Sequence, residues 1–231
     1  PRLMRYHEPN GLRDLFEKFR DKYGYELSYD EGHPMAAVSP GGAAVTSEPG
    51  GQLELSGAVC DTIFETEREL DEHFEHLRDM TQGEFSFVSW GMNPFHSLDE
   101  VEMIPKSRYD IMKRYLPTRG ELPLWMMKMT CTVQANFDYC SEADAMDMIR
   151  TAFLLSPIVS GLFVNSPLSA GKPNGYQSYR CHIWTKTDPD RTGFPDFVYR
   201  KDWGYRDYLE YVIDIPMFFI RRENRYIDLA G

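Results

Sequence analysis

The stretch EPGGQLELSG, residues 48–57, limits the possible folds of this chain more than any other feature of the sequence. Pro49 sets a backbone angle that suits a turn, and Gly50 and Gly51 permit positive φ and close backbone approach. After the turn, polar and apolar residues alternate, which predicts a strand with Glu54 on one face and leucines on the other. The stretch therefore predicts a strand that is entered through a tight turn.

A second Pro-Gly-Gly turn lies just upstream, at residues 40–42. Short apolar runs flank it at residues 35–39 and 43–47, and this pattern is typical of a β-hairpin. The two turns together place Glu48 and Glu54 on the open face of an antiparallel sheet. Such a carboxylate pair suits Mg²⁺, a hard cation that takes oxygen ligands and substrate phosphates. The alternative is a solvated hairpin strand without a ligand.

Other segments show the periodicity of helices and strands. Apolar residues at i, i+3, i+4 and i+7 after Asn10 predict a helix over residues 11–22, and Asn10 is a suitable N-cap. Asp61 is expected to cap a helix that ends near Gln82, with Ile63, Phe64, Leu70, Phe74 and Leu77 on its inner stripe. Further helices are predicted from Ser141 to about Gly161 and over 205–213, and strands are predicted over 85–90, 130–139 and 215–220. Hairpins and long helices without a βαβ rhythm indicate an α+β fold with an antiparallel sheet and flanking helices.

Composition and charge limit the classes of function. Apolar residues make up 42% of the 231 residues, which is typical of a globular chain, and the net charge of −11 argues against a nucleic-acid partner. No run of about 18 apolar residues is evident, so no membrane span is predicted. The cysteines show neither CxxC pairing nor zinc spacing, and we expect reduced thiols in a cytoplasmic protein. The four cysteines are Cys60, Cys131, Cys140 and Cys181.

The segment 130–139 carries an unusual row of polar side chains. If it is a strand, one face presents Thr130, Thr132, Gln134, Asn136 and Asp138. This mixture of donors and acceptors could orient a zwitterionic ligand, and we predict that Thr132, Gln134 and Asn136 bind substrate. The alternative is an outer sheet face that is wetted by solvent.

Three arginines are candidates for binding carboxylate or phosphate, because the guanidinium group can hold either with two hydrogen bonds. They are Arg108, Arg180 and Arg191. Each would otherwise be an ordinary surface charge. Arg180 lies in a Gly- and Pro-bounded loop with other residues of binding chemistry, namely Lys172, Asn174, His182 and Trp184. His182 is a candidate base, although a histidine beside a tryptophan more often has a structural role.

Several motifs, in this order, resemble a known family. They are EPGGQLELSG, PKSRYDIM, TCTVQANFDY, NSPLSAGKPNGYQSYRCHIWTKTDPDRTG and IPMFF. Together they are similar to the plant and proteobacterial type of glutamate–cysteine ligase, over most of the chain from about Gly41 to Pro216. The resemblance implies a glutamine-synthetase-like fold. It also implies ATP-dependent joining of the glutamate γ-carboxyl to the cysteine amine through an acyl phosphate, the first step of glutathione synthesis.

The resemblance also implies roles for single residues. Glu48 and Glu54 match metal ligands for Mg²⁺ around the ATP phosphates. Residues that match Arg108, Thr132 and Arg180 contact glutamate, and those that match Trp184 and Arg191 lie in or near the site. From the loop chemistry we further predict nucleotide contacts by Lys172, Asn174 and Arg191, and neutralisation of the transferring phosphoryl group by Arg180 and Arg191.

The resemblance is compatible with two hypotheses about function. In the first, residues 1–231 form a single catalytic domain that is incomplete at both ends, because the chain starts at Pro1 without a Met and the family continues beyond Gly231. Its partners are then glutamate, cysteine and ATP, with no nucleic acid and no membrane, in the cytoplasm unless an upstream segment directs it to an organelle. In the second, the chain is a non-catalytic remnant that binds glutamate or nucleotide or serves as a scaffold.

Overall fold

The computed structural model describes residues 2–223 and 225–229, and the chain divides into two compact units. Unit 1 comprises Pro1–Ser89 with Ser97–Asp110, and unit 2 comprises Trp90–His96 with Ile111–Gly231. The assignment of residues 1–231 to one catalytic domain stays a prediction.

The described residues contain helices and antiparallel strands, which confirms the α+β class. The helices are α1 (Leu12–Tyr23), α2 (Ile63–Thr81), α3 (Ser107–Tyr115), α4 (Pro123–Met129), α5 (Glu142–Leu162), α6 (Tyr179–Thr185) and α7 (Tyr205–Asp214). The strands are β1 (Glu26–Asp30), β2 (His33–Val38), β3 (Ala44–Ser47), β4 (Leu53–Ser56), β5 (Leu168–Ser169), β6 (Lys172–Pro173), β7 (Phe219–Arg222) and β8 (Arg225–Asp228).

Unit 1 is built on a four-stranded antiparallel sheet in the order β1-β2-β3-β4. The register sets Ala37 opposite Val45 and Val45 opposite Leu55, so these side chains share one face. Phe16 and Phe19 of α1 are fully buried in the cluster that contains Ala37 and Val45. The core therefore lies on one face of the sheet, and the other face is left for Thr46, Glu48 and Glu54.

Both Pro-Gly-Gly turns have the same geometry. The N–H of Gly42 donates to the Ser39 carbonyl over 3.0 Å, and the N–H of Gly51 donates to the Glu48 carbonyl over 2.8 Å. Each turn ends in a glycine with positive φ, +94° at Gly42 and +85° at Gly51. A turn that is closed by a glycine in the left-handed conformation is one of the common connections of a β-hairpin. The predicted hairpins are confirmed.

The ends of the first two helices differ by one residue from the prediction. Gly11, not Asn10, is the N-cap of α1, and a Cβ at Gly11 would lie 2.1 Å from the Arg5 carbonyl oxygen. Thr62, not Asp61, caps α2, in a capping box with Glu65. The predicted inner stripe of α2 is wrong at Ile63, Phe64 and Leu70, which are exposed. The buried residues lie at the C-terminal end, at His73, Leu77, Met80 and Thr81.

The predicted strand over 130–139 is wrong. Of residues 130–139 only Thr130 makes a β-bridge, to Met92, and the Cys131 N–H donates to the Gly91 carbonyl over 3.1 Å, whereas residues 132–140 are exposed and irregular. A strand needs a neighbour for its backbone groups, and among the described residues no strand pairs with residues 132–139. Residues 84–90 are also irregular, and the predicted strand over 215–220 begins only at Phe219.

Unit 2 is mainly helical. α4 packs on α6, and Met127, Met129 and Ile183 are buried. Ser141 accepts a hydrogen bond from the Asp144 N–H, as predicted, and so begins α5. By length and composition, α5 is long and apolar enough to cross a membrane. The expectation that the chain has no such segment is therefore wrong. One helix of this kind is weak evidence of a membrane span.

Candidate functional site

Glu48 and Glu54 lie on the same face of the unit 1 sheet. Glu54 is directly opposite Thr46 in the β3–β4 register, and Glu48 follows Thr46 at a spacing of two residues. The N–H of Glu48 still donates to the Gln52 carbonyl over 2.8 Å, so the turn keeps the strand spacing up to Glu48. The register of the backbone therefore sets the two residues on one side of the sheet, and their sharing of a metal site stays a prediction.

Charges of both signs act on Glu48. Burial raises the pKa of Glu48, and the nearby carboxylate of Glu54 raises it further. Lys106 and Arg108 act in the opposite direction and favour the ionised carboxylate. A cation bound to the two carboxylates would relieve their repulsion.

A backbone contact brings Lys106 and Arg108 to this face. The N–H of Ile104 donates to the Pro49 carbonyl over 2.9 Å, which attaches the segment before α3 to the turn that follows β3. Ser107 is held to β1, because its N–H donates to an Asp30 carboxylate oxygen over 2.7 Å and its hydroxyl donates to the same carboxylate. We call this face, with Asp30, Glu48, Glu54, Lys106 and Arg108, the carboxylate face.

The carboxylate face fits a hard divalent cation that keeps part of its water. Among residues 2–223 and 225–229 no three His, Cys, Asp or Glu side chains are arranged to hold a metal ion. Mg²⁺ is typically bound through one or two carboxylates, and the remaining positions are filled by water and phosphate oxygens. Two carboxylates that repel each other on one face match that requirement.

A second group of residues with binding chemistry lies in unit 2, at Arg180 and Trp184 of α6. The Arg180 guanidinium lies over the Trp184 ring, 5.6 Å from its centre. Within the part of the chain that is described, the buried Arg180 Nε and Trp184 Nε1 have no hydrogen-bond acceptor. Burial lowers the pKa of Arg180, and the charges that oppose this come from the thiols of Cys181 and Cys131 rather than from a carboxylate. Two neighbouring N–H donors without acceptors indicate a site for an anionic ligand.

The N-terminal end of α6 is fixed by its own backbone contacts. The Arg180 N–H donates to the Ser166 hydroxyl over 3.0 Å, and the Gly91 N–H donates to the Asn165 carbonyl over 3.0 Å. A Cβ at Gly91 would lie 3.2 Å from the Asn165 carbonyl oxygen. Gly91 therefore allows the close approach of these two backbone segments beside Arg180.

The other predicted substrate and nucleotide residues of unit 2 are less constrained. Thr132, Gln134 and Asn136 are exposed on the irregular segment after Thr130. Lys172 is exposed on β6, whereas the Asn174 side chain donates to the Ser166 carbonyl over 3.1 Å and so holds its loop. Their binding roles stay predictions.

His182 packs against two tyrosines that also contact each other. Its ring stacks on Tyr176 at 4.7 Å and on Tyr179 at 5.6 Å between ring centres. This packing supports the structural alternative for His182.

Arg191 is held on several sides. Its guanidinium donates to Asp188 and to the Pro216 carbonyl, and it lies over the Phe218 ring at 3.9 Å from the ring centre. Asp188 is 1% exposed and also accepts a hydrogen bond from the Asp190 N–H over 3.0 Å. The predicted catalytic and nucleotide roles of Arg191 stay predictions for a side chain that already has these partners.

Sequence reasoning did not single out Lys106 or Asp188. Both lie inside motifs that carry the family resemblance, PKSRYDIM and DPDRTG. A charged residue close in sequence to a candidate arginine is itself a candidate for the site, because buried charges need partners. The carboxylates near Lys106 and the ion pair between Arg191 and Asp188 follow from the fold.

Comparison with known proteins gives the family of the chain. Residues 12–230 match the family model described as glutamate-cysteine ligase family 2 (GCS2). The chain is 39% identical over 231 residues to the chloroplastic glutamate–cysteine ligases of Arabidopsis thaliana and Nicotiana tabacum, covering 100% of this chain and 44% of each relative. That of Medicago truncatula is 38% identical, with 45% of its length covered. The chain thus spans less than half the length of these relatives, and it belongs to glutamate–cysteine ligase family 2.

Proposed function

We propose that the protein carrying this chain is an ATP-dependent glutamate–cysteine ligase. It joins the γ-carboxyl of glutamate to the amine of cysteine through a γ-glutamyl phosphate, the first step of glutathione synthesis. The observation that carries the proposal is the pair of buried N–H donors without acceptors at Arg180 and Trp184, in a chain of this family. The alternative of a non-catalytic remnant is not favoured by identity that extends over the whole chain.

Arg180 is proposed to bind the α-carboxylate of glutamate. A guanidinium group offers donors in a planar fork that matches a carboxylate, and here it has no carboxylate partner among the described residues. Burial strengthens the interaction with an anion because solvent screening is weaker. Trp184 then covers the face of the guanidinium and keeps its orientation.

The carboxylate face is proposed to hold Mg²⁺ with ATP. Glu48 and Glu54 would hold the metal, which supplies neutralisation of the phosphate charge when it is bound. The cations Lys106 and Arg108 would interact with the anionic groups of the ligands at this face. No nucleophilic side chain is required, since positioning and charge neutralisation are the main contributions of a protein to phosphoryl transfer.

Several finer assignments belong to the same proposal. Thr132, Gln134 and Asn136 would contact substrate, and Lys172, Asn174 and Arg191 would contact the nucleotide. The sheet of unit 1 would belong to a glutamine-synthetase-like fold. The relatives are named as chloroplastic, so a cytoplasmic location for this protein stays a prediction.

The test is ligase activity of the full-length protein that carries this chain. Release of ADP should require glutamate, cysteine, ATP and Mg²⁺ together. Arg180→Lys should raise the KM for glutamate by about tenfold or more with a smaller change in the KM for ATP, because a fork becomes a point charge. Isothermal titration calorimetry of glutamate should show the same loss of affinity.

The matched control is Arg206→Lys on α7, where the arginine is exposed and pairs only with Glu210 among the described residues. This variant should leave both KM values unchanged. An unchanged glutamate KM in Arg180→Lys would remove Arg180 from substrate binding. Nucleotide hydrolysis that is independent of glutamate and cysteine would contradict the ligase.

A further inference from the structure

Lys106 is a half-buried cation at the carboxylate face. Glu48, Asp30 and Glu54 all favour its charged form, while burial and the neighbouring Arg108 disfavour it and lower its pKa. Its ammonium also lies 5.4 Å from the centre of the Tyr109 ring. Among the described residues no carboxylate forms a direct ion pair with Lys106, so its charge is balanced by a field of three carboxylates rather than by one partner.

The backbone fixes Lys106 in this position. Its N–H donates to the Ile104 carbonyl and its carbonyl accepts from the Tyr109 N–H, each over 2.9 Å. Ile104 on one side is bonded to the Pro49 carbonyl, and Ser107 on the other side is bonded to Asp30. These backbone bonds hold the Lys106 backbone in place, and its charge acts on both Glu48 and Glu54.

We propose that the Lys106 ammonium balances the Glu48 and Glu54 carboxylates when no metal is bound, and contacts an anionic phosphate oxygen when the metal–nucleotide complex binds. This inference rests on the proposed function and concerns the same face. Lys106 weakens the binding of a divalent cation alone, because like charges repel. It strengthens the binding of the cation with its nucleotide, because the phosphate oxygens give the ammonium a new partner. Lys106 therefore makes metal binding depend on the phosphate groups.

The experiment uses the full-length protein and Mn²⁺, whose free concentration is read by electron paramagnetic resonance. Lys106→Met should bind Mn²⁺ alone roughly fivefold more tightly, because a positive charge near the carboxylates is removed. The same variant should bind the Mn²⁺–ADP complex roughly fivefold more weakly. Lys106→Arg keeps the charge and should change both values by less than about twofold. A merely structural role for Lys106 would not move the two affinities in opposite directions.

The matched control is Lys113→Met, which removes the same charge from an exposed position of α3. It should leave both affinities unchanged. If Lys106→Met does not fold by circular dichroism, Lys106→Gln keeps a polar side chain of similar length and carries the same expectation.

Each outcome decides a separate statement. An Mn²⁺ affinity that is unchanged or weaker in the charge-removing variant overturns the role of Lys106 and leaves the ligase proposal intact. Mn²⁺ binding that is unaffected by Glu48→Gln and Glu54→Gln overturns the assignment of the carboxylate face to the metal, and the role of Lys106 with it. The glutamate affinity at Arg180 is measured independently of both.

Discussion

His73 in α2 is a side chain whose burial has a measurable consequence for stability. It is 7% exposed, its ring stacks on Phe19, and its Nδ1 has no partner among the described residues. Burial, with a smaller contribution from the charge of His76, lowers its pKa from 6.5 to about 4. The folded protein therefore resists protonation of a group that the unfolded chain protonates readily.

The sign of the pH dependence follows from that difference. Between pH 6.5 and about 4 the unfolded chain binds the proton and the folded chain does not, so the free energy of unfolding falls as the pH drops through this window. The full loss is about 3 kcal/mol, since one pKa unit corresponds to about 1.4 kcal/mol. Thermal melts from pH 7 to pH 4 should show this loss, and His73→Phe should reduce it. A His73 ring that titrates near its ordinary value by NMR would contradict the argument.

Some residues of the candidate site follow from the sequence and others do not. Alternation in QLELS predicts that Glu54 lies on the polar face without knowledge of the fold, and the position of Glu48 two residues after Thr46 follows from the turn. Lys106 could not be found in this way, because its importance depends on the bond between Ile104 and Pro49, residues far apart in sequence. Asp188 is similar, because nothing in the motif DPDRTG indicates that this side chain is 1% exposed.

At the level of elements, the turn between β3 and β4 decides the geometry of the carboxylate face. Gly51 has φ +85°, and a Cβ there would lie 3.0 Å from Leu12 Cδ1. Gly51→Ala should destabilise unit 1 by about 1–2 kcal/mol through the strained left-handed conformation. It should also weaken Mn²⁺ binding in the full-length protein, since Glu48 precedes the turn and Glu54 follows it.

The other Pro-Gly-Gly turn provides the control for this prediction. Gly41 has no positive φ, and a Cβ there would meet only the Ser39 hydroxyl oxygen, at 3.7 Å. Gly41→Ala should be tolerated within about 0.5 kcal/mol in urea denaturation. Equal effects of the two substitutions would show that the left-handed glycine is not what orients the carboxylates.

Elements whose ends are marked by Pro, Gly or a capping residue could be predicted from the sequence. Elements that depend on partners distant in sequence could not. The hairpins around residues 40–42 and 49–51 follow from Pro-Gly-Gly, and the start of α5 follows from Ser141 and Asp144. The segment 130–139 has a clear alternation of polar and apolar residues, yet alternation does not supply a neighbouring strand. α6 was not predicted, because it lies in a stretch rich in proline and glycine. Ser178, its N-cap, could have indicated where the helix begins.

At the scale of the whole molecule, α5 leaves a broad apolar surface exposed. Leu154, Ile158 and Leu162 recur every four residues, so they lie on one side of the helix, and they are 77%, 58% and 74% exposed. Leu155 and Val159 widen this stripe and are also exposed. Contiguous apolar patches of this kind are uncommon on soluble monomers and mark interaction surfaces. The relatives are more than twice as long as this chain, so further chain is available in them to cover such a surface.

The consequence is a difference between the 231-residue chain and the full-length protein. Produced by itself, this chain should bind the dye ANS and self-associate in analytical ultracentrifugation at about 100 μM, because burial of apolar area is favourable by about 25 cal/mol per Å². The double substitution Leu154→Lys, Ile158→Lys should reduce both effects by interrupting the stripe. Ser156→Lys with Ser160→Lys adds the same charge at polar positions of α5 away from the stripe and should reduce them much less. A monomeric 231-residue chain that does not bind ANS would show that the α5 surface needs no cover, and equal effects of the two double variants would assign the association to net charge instead.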